Sequence, residues 1–460
     1  MITTTKVQLP RFGTEPSRPE IPVGIYQQRM ASTRARMRAA GFDFLVVYGD
    51  REHFANLAYL TGFDPRFEEA VLLIEARSRA LLVVGNECMG FLPDSRIGLE
   101  VQLFQEFSLM GQPRGNSPPL RKLLRGFGIR SGKQIGCVGW KYFEPGLVEG
   151  GPQALELPSY LVDVLRDLAG DRRRVRNATD FFMNPADGLR VINEVEQLVC
   201  LEEAAICTSE GVRQVLAHLR EGVEERDLER WLDSRGIPLS CHKMVSFGAK
   251  AQRGLASPGA GRARLGEAYT IGFGVSGSLT CRAGVLARSA RDLPAVTRGF
   301  YPEFAANYFD VVTAWYEQMK VGALAGEIFR AVDARRNAKL YDFAVNPGHH
   351  IHLDEWVHSP FAAGSRVALR SGMALQMDII PVSKGPFCCI NAEDGIALAD
   401  EALRADLARQ YPGCWLRVQK RRSFMRDALG IRLDESVLPL GNMPGWLPPY
   451  ALAPETVFRA

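Results

Sequence analysis

Hydrophobic positions come in short runs over the first third of the chain and in longer helical spacings after residue 190. Apolar stretches at 44–48, 70–74, 81–84 and 135–138 are each bounded by turn-forming residues. Runs of that length between turn signals read as buried strands. Residues 26–40, 52–60 and 160–168 carry helical patterns, and the first stops at Gly41. The polar stretch 75–80 separates two apolar runs and predicts a hairpin. Strands mixed with helices predict an α/β domain. Residues 1–22 are rich in proline and predict an extended arm.

Residues 171–176 and 183–188 read as linkers, and the texture changes beyond them. A long helix is predicted over 192–219, with Val195, Leu198, Val199, Ala205 and Ile206 on its apolar face, and a second over 224–232. Leu219-Arg220-Glu221-Gly222, with Leu228 six residues after the glycine, recurs as Met319-Lys320-Val321-Gly322 with Ile328 at the same distance. A β-rich stretch follows each copy, at 240–290 and 345–397. One helix-helix-sheet unit used twice would bring two β layers together with a site between them. The tail 404–460 predicts a helix and then an irregular arm, with Trp415, Trp446 and Tyr450 packed on a partner or a neighbouring domain. The expected divisions are 1–182, 183–403 and 404–460.

Composition narrows the class. At 460 residues the chain is too long for one ordinary core. Its 46% hydrophobic and 23% charged content is that of a soluble globular protein. A net charge of +4 gives no case for nucleic acid or a membrane surface, and the basic runs 172–174 and 420–422 read as solvated faces. Nine scattered cysteines without a Cys-x-x-Cys pair exclude a zinc ribbon and suggest buried thiols in a reducing compartment. No stretch approaches the ~20 apolar residues of a membrane span, and residues 1–13 lack the apolar core of a secretory signal. A cytoplasmic protein is the expectation.

Four of the seven histidines lie between 349 and 358: His349, His350, His352 and His358. Histidine titrates near neutral pH and is the commonest metal ligand. The apolar runs that follow deliver Asp378 and Glu393, so the stretch 346–394 reads as a site.

Several motifs carry a family resemblance over residues 26–400. Asn56-Leu57-Ala58-Tyr59-Leu60-Thr61-Gly62-Phe63 is similar to Ile-x-Tyr-Leu-Thr-Gly-Phe. Leu189-Arg190-Val191-Ile192-Asn193-Glu194-Val195-Glu196 resembles an entry helix of the form Leu-Arg-x-Ile-Lys-x-x-x-Glu. Gly348-His349, Gly372-Met373 leading to Asp378, and Glu393-Asp394 complete the pattern. The chain resembles the pita-bread superfamily, which includes methionine aminopeptidase, prolidase, Xaa-Pro aminopeptidase, creatinase and ectoine hydrolase. The resemblance implies a creatinase-type α/β amino-terminal domain, a pita-bread domain of duplicated helix-sheet units, and a homodimer.

The same resemblance implies a ligand set. The metallopeptidases of the superfamily hold two metals with two aspartates, one histidine and two glutamates. By position the histidine is His349, and the glutamates fall on Asp378 and Glu393. The aspartates fall on Gly272 and Ala283, neither of which has a ligating side-chain atom. A two-metal site needs bridging carboxylates, so the expected cofactor is none or one divalent ion. Creatinase's catalytic histidine would lie near Arg253-Gly254-Leu255, where this chain has none. Arg66 falls near the creatinase arginine that holds the substrate carboxylate. His358 matches a second histidine, but from Gly348 the spacing is two residues longer than in Gly-His-Gly-Ile-Gly-x-x-x-His.

Hydrolysis of a C–N bond needs an activated water, an acid for the leaving nitrogen and donors for the oxyanion. His349 and His358 are the natural proton carriers. Asp378 and Glu393 can orient a histidine, bind a cationic group or act as bases. Arg66 and Arg282 can clamp a substrate carboxylate, with His350 beside them, and Arg282 can instead pair with Asp378. If 348–354 is extended, His350, His352 and Asp354 share one face and could bind one metal; the other single-metal set is His349, Asp378 and Glu393. Three classes follow for a small-molecule substrate: a creatinase-like or ectoine-hydrolase-like C–N hydrolase of a carboxylate-bearing amide or amidino compound, an Xaa-Pro aminopeptidase with an altered site, and a non-catalytic binding protein on this fold.

Overall fold

The computed structural model describes residues 2–14, 19–252 and 254–460. The chain divides into two compact units, Ile21–Arg190 and a second made of Met1–Glu20 with Val191–Ala460.

In the first unit the apolar runs form a six-stranded sheet in the order Glu100–Leu103, Ala80–Val84, Ala70–Glu75, Phe44–Gly49, Ile135–Val138, Val175–Asn177. Its central strands are uniformly apolar because both faces are covered. Phe44, Val46, Leu73 and Val83 share one buried cluster with Leu123, Leu124 and Phe127 of helix Leu120–Phe127 and Leu161 and Leu165 of helix Ser159–Ala169. The polar stretch 75–80 closes a hairpin, with Glu75 N–H donating to Arg79 C=O at 2.9 Å. Helix Val23–Ala39 begins three residues before the predicted start. Residues 171–176 are not purely a linker: Val175 opens an edge strand paired in parallel with Ile135–Cys137.

The division falls at Arg190, not at 182. Residues 188–190 bond back into the first unit, through Leu189 N–H to Phe181 C=O at 2.8 Å and Arg190 Nη1–H to Asn56 Oδ1 at 2.7 Å. Nor does 404–460 stand apart. Strand Val437–Pro439 pairs with Asn391–Leu398, and strand Thr456–Arg459 pairs with Thr3–Lys6, which draws the predicted arm into the same unit. Trp446 is buried there and its carbonyl accepts from Arg282 Nε at 2.9 Å, so it packs within its own unit.

The second unit repeats one motif twice. Helix Val195–His218, a turn, and the short helix Glu225–Glu229 precede strands Met244–Phe247, Ala268–Val275 and Ser278–Val285. Helix Ala306–Gln318, a turn, and helix Ala325–Arg335 precede His349–His350, Ala374–Asp378 and Asn391–Leu398. The copies share their hydrogen bonds. Gly222 N–H meets Ala263 C=O and Gly322 N–H meets Leu369 C=O, both at 2.8 Å. Glu225 N–H meets Gly261 C=O at 3.0 Å and Ala325 N–H meets Val367 C=O at 2.9 Å. Both turn glycines have positive φ, +81° and +87°, which a side chain would disfavour.

The two β-rich halves were expected to stack as layers. They lie edge to edge instead, in one antiparallel sheet ordered His349–His350, Ala374–Asp378, Asn391–Leu398, Ser278–Val285, Ala268–Val275, Met244–Phe247. The seam is the pairing of Cys281, Arg282 and Ala283 with Glu393, Ala392 and Asn391. Helix Val195–His218 covers one face. Thr208 Oγ1 meets Ser278 Oγ at 3.2 Å and Thr280 Oγ1 at 2.9 Å, and Gly211 admits Phe273, whose ring would lie 2.9 Å from a Cβ there. Residues 279, 281 and 283 therefore point to the opposite face. Among the described residues no helix is long and apolar enough to cross a membrane.

A buried ion network ties the carboxy-terminal segment to this unit. Glu202, fully buried, accepts from Arg417 Nε and Nη2 at 2.8 and 2.6 Å and from Arg421 Nη1 at 2.7 Å. Removing one member of such a network strands buried charge, at a cost of about 3–5 kcal/mol. Glu202→Ala should therefore lower the urea midpoint sharply, and an unchanged midpoint would show that the network contributes little.

Candidate functional site

The site is built from one row across the sheet. Met244 pairs with Gly272, Gly272 with Cys281, Cys281 with Glu393, and Glu393 with Asp378. Two residues back along the last strand, Gln376 pairs with His349. Directly paired residues share a face, as do residues two apart on a strand. The sheet register alone therefore gathers Cys281, Glu393, Asp378, Gln376 and His349 on the face away from the helix.

The side chains converge. One ligand atom from each of His349, Asp378 and Glu393 lies within 4.8 Å of the others, and this is the one such group among the described residues. His349 is fully buried. Its Nδ1 is 3.2 Å from His350 C=O, and the Trp356 ring stacks on it with centroids 4.1 Å apart. Its Nε2 lies 3.3 Å from Glu355 Oε1 and 3.8 Å from Glu393 Oε1. Asn391 Nδ2–H donates to Asp378 Oδ1 at 3.4 Å and to Ile379 C=O at 3.2 Å.

Electrostatics follow from burial. Desolvation, then the Asp378 carboxylate, pushes Glu393 well above the usual range. Asp378 is raised by burial, against the opposing pull of His349 and the Asn391 hydrogen bond. Glu355 is pushed up to about 7 by burial, with His349 opposing and Glu393, Asp378 and Asp354 adding to the rise. Three carboxyl groups thus surround one imidazole, and among the described residues no lysine or arginine forms an ion pair with any of them. The site is short of positive charge.

That shortage fits one divalent cation. His349 Nε2 and Glu393 Oε1 are buried without a hydrogen-bond partner, and a bound cation would satisfy both. It does not fit two. Gly272 and Ala283 occupy the same face and carry no oxygen, and a Cβ at Gly272 would lie 2.8 Å from Met244 Cε, so a thioether fills that space. Cys281, next in the row, is a thiol raised well above its usual pKa by burial and by Glu393 and Asp378.

Other predicted residues lie elsewhere. Only His349 and His350 are strand; the chain bends after Ile351, with His350 N–H bonded to His358 C=O at 2.8 Å and His352 N–H to Asp354 C=O at 3.2 Å. His350, His352 and Asp354 therefore do not line up on one strand face, and among the described residues they form no convergent ligand group. His358 Nδ1 lies 3.0 Å from Ser359 C=O, and His358 is likewise not in the convergent group. Arg282 neither faces the site nor pairs with Asp378. It is fully buried on the helix-side face, with Nη2 on both Asp394 oxygens at 2.8 and 3.0 Å and on Met443 C=O at 2.6 Å. Arg66, in the first unit, donates from Nε to Asp64 Oδ2 at 3.0 Å, and its guanidinium lies 4.8 Å from the centre of the Phe54 ring. Of the stretch 253–255, Arg253 lies outside the described residues.

Sequence reasoning missed Glu355, Trp356, Asn391 and Gln376. The two-residue excess in the Gly348–His358 spacing was the available signal for the first pair.

Residues 29–106 match the creatinase/prolidase N-terminal domain family. Among solved structures, the recombinant prolidase from Thermococcus sibiricus is similar with a TM-score of 0.63 at 14% identity, covering 82% of this chain and 95% of that one. The prolidase from Pyrococcus horikoshii OT3 gives 0.60 at 15%, over 81% and 95%. The X-Pro aminopeptidase from Thermotoga maritima MSB8 gives 0.59 at 13%, over 81% and 95%. The chain has the pita-bread fold. No curated protein matches its sequence. At these identities the likeness fixes the fold of the pita-bread unit and leaves its chemistry to its own residues.

Glu355 gives this site a pH signature. The unfolded chain releases that proton near the ordinary value of 4.5, whereas the folded protein keeps it until about 7. Ionisation therefore erodes stability as pH rises from 4.5 through 7, by on the order of 3 kcal/mol. In chelator-treated protein, Glu355→Gln should be more stable than wild type at pH 8 and equal to it at pH 4. Urea titrations at the two values test this, and equal midpoints at both would contradict it.

Proposed function

We propose that this protein is a hydrolase of C–N bonds in small amides or amidino compounds, working from a site that accepts one divalent cation. The observation that carries the reading is the buried group His349, Asp378 and Glu393, whose ligand atoms lie within 4.8 Å and which, among the described residues, form no ion pair with an arginine or lysine. A cationic substrate group and a metal would each meet that need. The likeness to prolidases and an X-Pro aminopeptidase supports hydrolysis beside a nitrogen.

Each residue has a task in this reading. His349 Nε2, Asp378 and Glu393 hold the cation. When bound, a divalent ion there polarises the scissile group and acidifies a water. Glu393, whose burial favours its protonated form, takes a proton on the carboxylate oxygen that does not hold the cation and returns it to the leaving nitrogen. Asn391 fixes the Asp378 carboxylate, and Trp356 fixes the plane of the imidazole. With Gly272 in the row and Ala283 two residues beyond Cys281 on the same face, a second ion has no bridging oxygen.

Screening small amides, amidino compounds and X-Pro dipeptides, with elemental analysis of protein purified without chelator, tests the reading. Turnover of an amide or amidine with at most one equivalent of metal per chain is the expected result, and His349→Ala should reduce it by at least about 100-fold. X-Pro cleavage with two tightly held equivalents would overturn it in favour of the peptidase reading. Ligand binding without turnover of any compound would favour a binding protein on this fold.

A further inference from the structure

We propose that Glu355 is a fourth protein ligand of the one-cation site, and that the two-residue lengthening between Gly348 and His358 serves to deliver it. The inference rests on the one-cation reading and goes beyond it by naming a ligand absent from the metallopeptidase pattern.

The segment is a closed loop. His350 N–H donates to His358 C=O at 2.8 Å and Val357 N–H to His350 C=O at 3.0 Å, which pinches residues 351–356 between two backbone bonds. Two neighbouring residues in that loop then grip one imidazole. Trp356 stacks on the His349 ring, and Glu355 Oε1 reaches Nε2 at 3.3 Å. These are contacts a shorter loop would have two fewer residues to make.

The distance suits adjacent ligands of a single ion. Donors about 2.1 Å from a metal, at angles between octahedral and tetrahedral, lie about 3.0–3.4 Å apart. The Nε2–Oε1 separation of 3.3 Å falls in that interval. Nε2 itself is a buried atom without a hydrogen-bond partner, and so is Glu393 Oε1, which lies 3.8 Å from it. Both belong to residues that are less than a tenth exposed.

Charge and chemistry agree. The site face of the sheet lacks carboxylates at Gly272 and Ala283, and Glu355 offers one from a different element. One imidazole with three carboxylates favours a cation that accepts oxygen, such as manganese, over one that seeks sulfur. His349, Asp378 and Glu393 sit on strands and already converge, whereas Glu355 lies outside that convergent group, 3.3 Å from His349 Nε2, on a loop from which its carboxylate would swing onto the ion.

Calorimetric titration of chelator-stripped full-length protein with manganese chloride tests the assignment, with circular dichroism to confirm that each variant folds. Wild type should bind one equivalent. Glu355→Gln, which keeps the side-chain shape, should weaken affinity at least about 10-fold, whereas Asp354→Asn on the same loop should stay within about 2-fold. His349→Ala should abolish binding. Wild-type affinity in Glu355→Gln, with binding still lost in His349→Ala, would overturn the role of Glu355 while leaving the one-cation site standing. Absence of binding in wild type, with manganese and again with zinc and cobalt, would overturn the one-cation reading and this inference with it.

Discussion

Asp378 and Glu393 face each other across two antiparallel strands, and the site depends on keeping them there. Like charges directly opposite in a sheet repel, and burial sharpens the repulsion. The register is held from other directions. On the helix-side face Arg282 neutralises Asp394 and binds the carbonyls of Trp446 and Met443. Tyr308 Oη donates to Ile379 C=O and accepts from Ala392 N–H, so one hydroxyl bridges the chain beside both carboxylates. A polar framework behind the sheet thus maintains an electrostatically costly arrangement in front of it. Such a pair persists where a cation or a proton is there to be held.

The duplicated architecture explains why the site sits at a seam. Each half contributes a hairpin and a helix pair with the same turn and the same backbone bonds at Gly222 and Gly322. Edge-to-edge pairing sets Cys281 of the first half beside Glu393 of the second. The halves have diverged in chemistry. The second supplies the imidazole and all the carboxyl groups, while the first offers Gly272, the thiol of Cys281, Ala283 and the thioether of Met244. One side of the site is acidic, and the other carries a thiol, a thioether and no carboxylate.

Much of this was legible in the sequence. The apolar runs 44–48, 70–74 and 81–84 became central strands because a run apolar on every position needs cover on both faces. The Gly222 and Gly322 echo was readable because a left-handed turn constrains residue type locally. The edge strands Glu100–Leu103 and Val175–Asn177 were not, since they are short and partly polar, and their pairing comes from neighbours distant in sequence. The unit boundary shifted for a similar reason: residues 183–188 read as a linker, yet the backbone just beyond it, at Leu189 and Arg190, bonds back to Phe181 and Phe182.

The sequence by itself determined the fold class, offered His349, Asp378 and Glu393 as candidates, and set the absence of side-chain oxygens at Gly272 and Ala283. These are properties of residue type at a position, and no folding can add a carboxylate to glycine. Only the tertiary structure decided which of four clustered histidines turns toward the carboxylates, because a bend after Ile351 breaks the alternation that would have aligned His350, His352 and Asp354. It decided that Arg282 serves the framework, because its place in the sheet points it at Asp394. It also brought Glu355 to His349 Nε2, since the path of a loop depends on the backbone bonds that close it, and those bonds form only once His350 and His358 lie side by side.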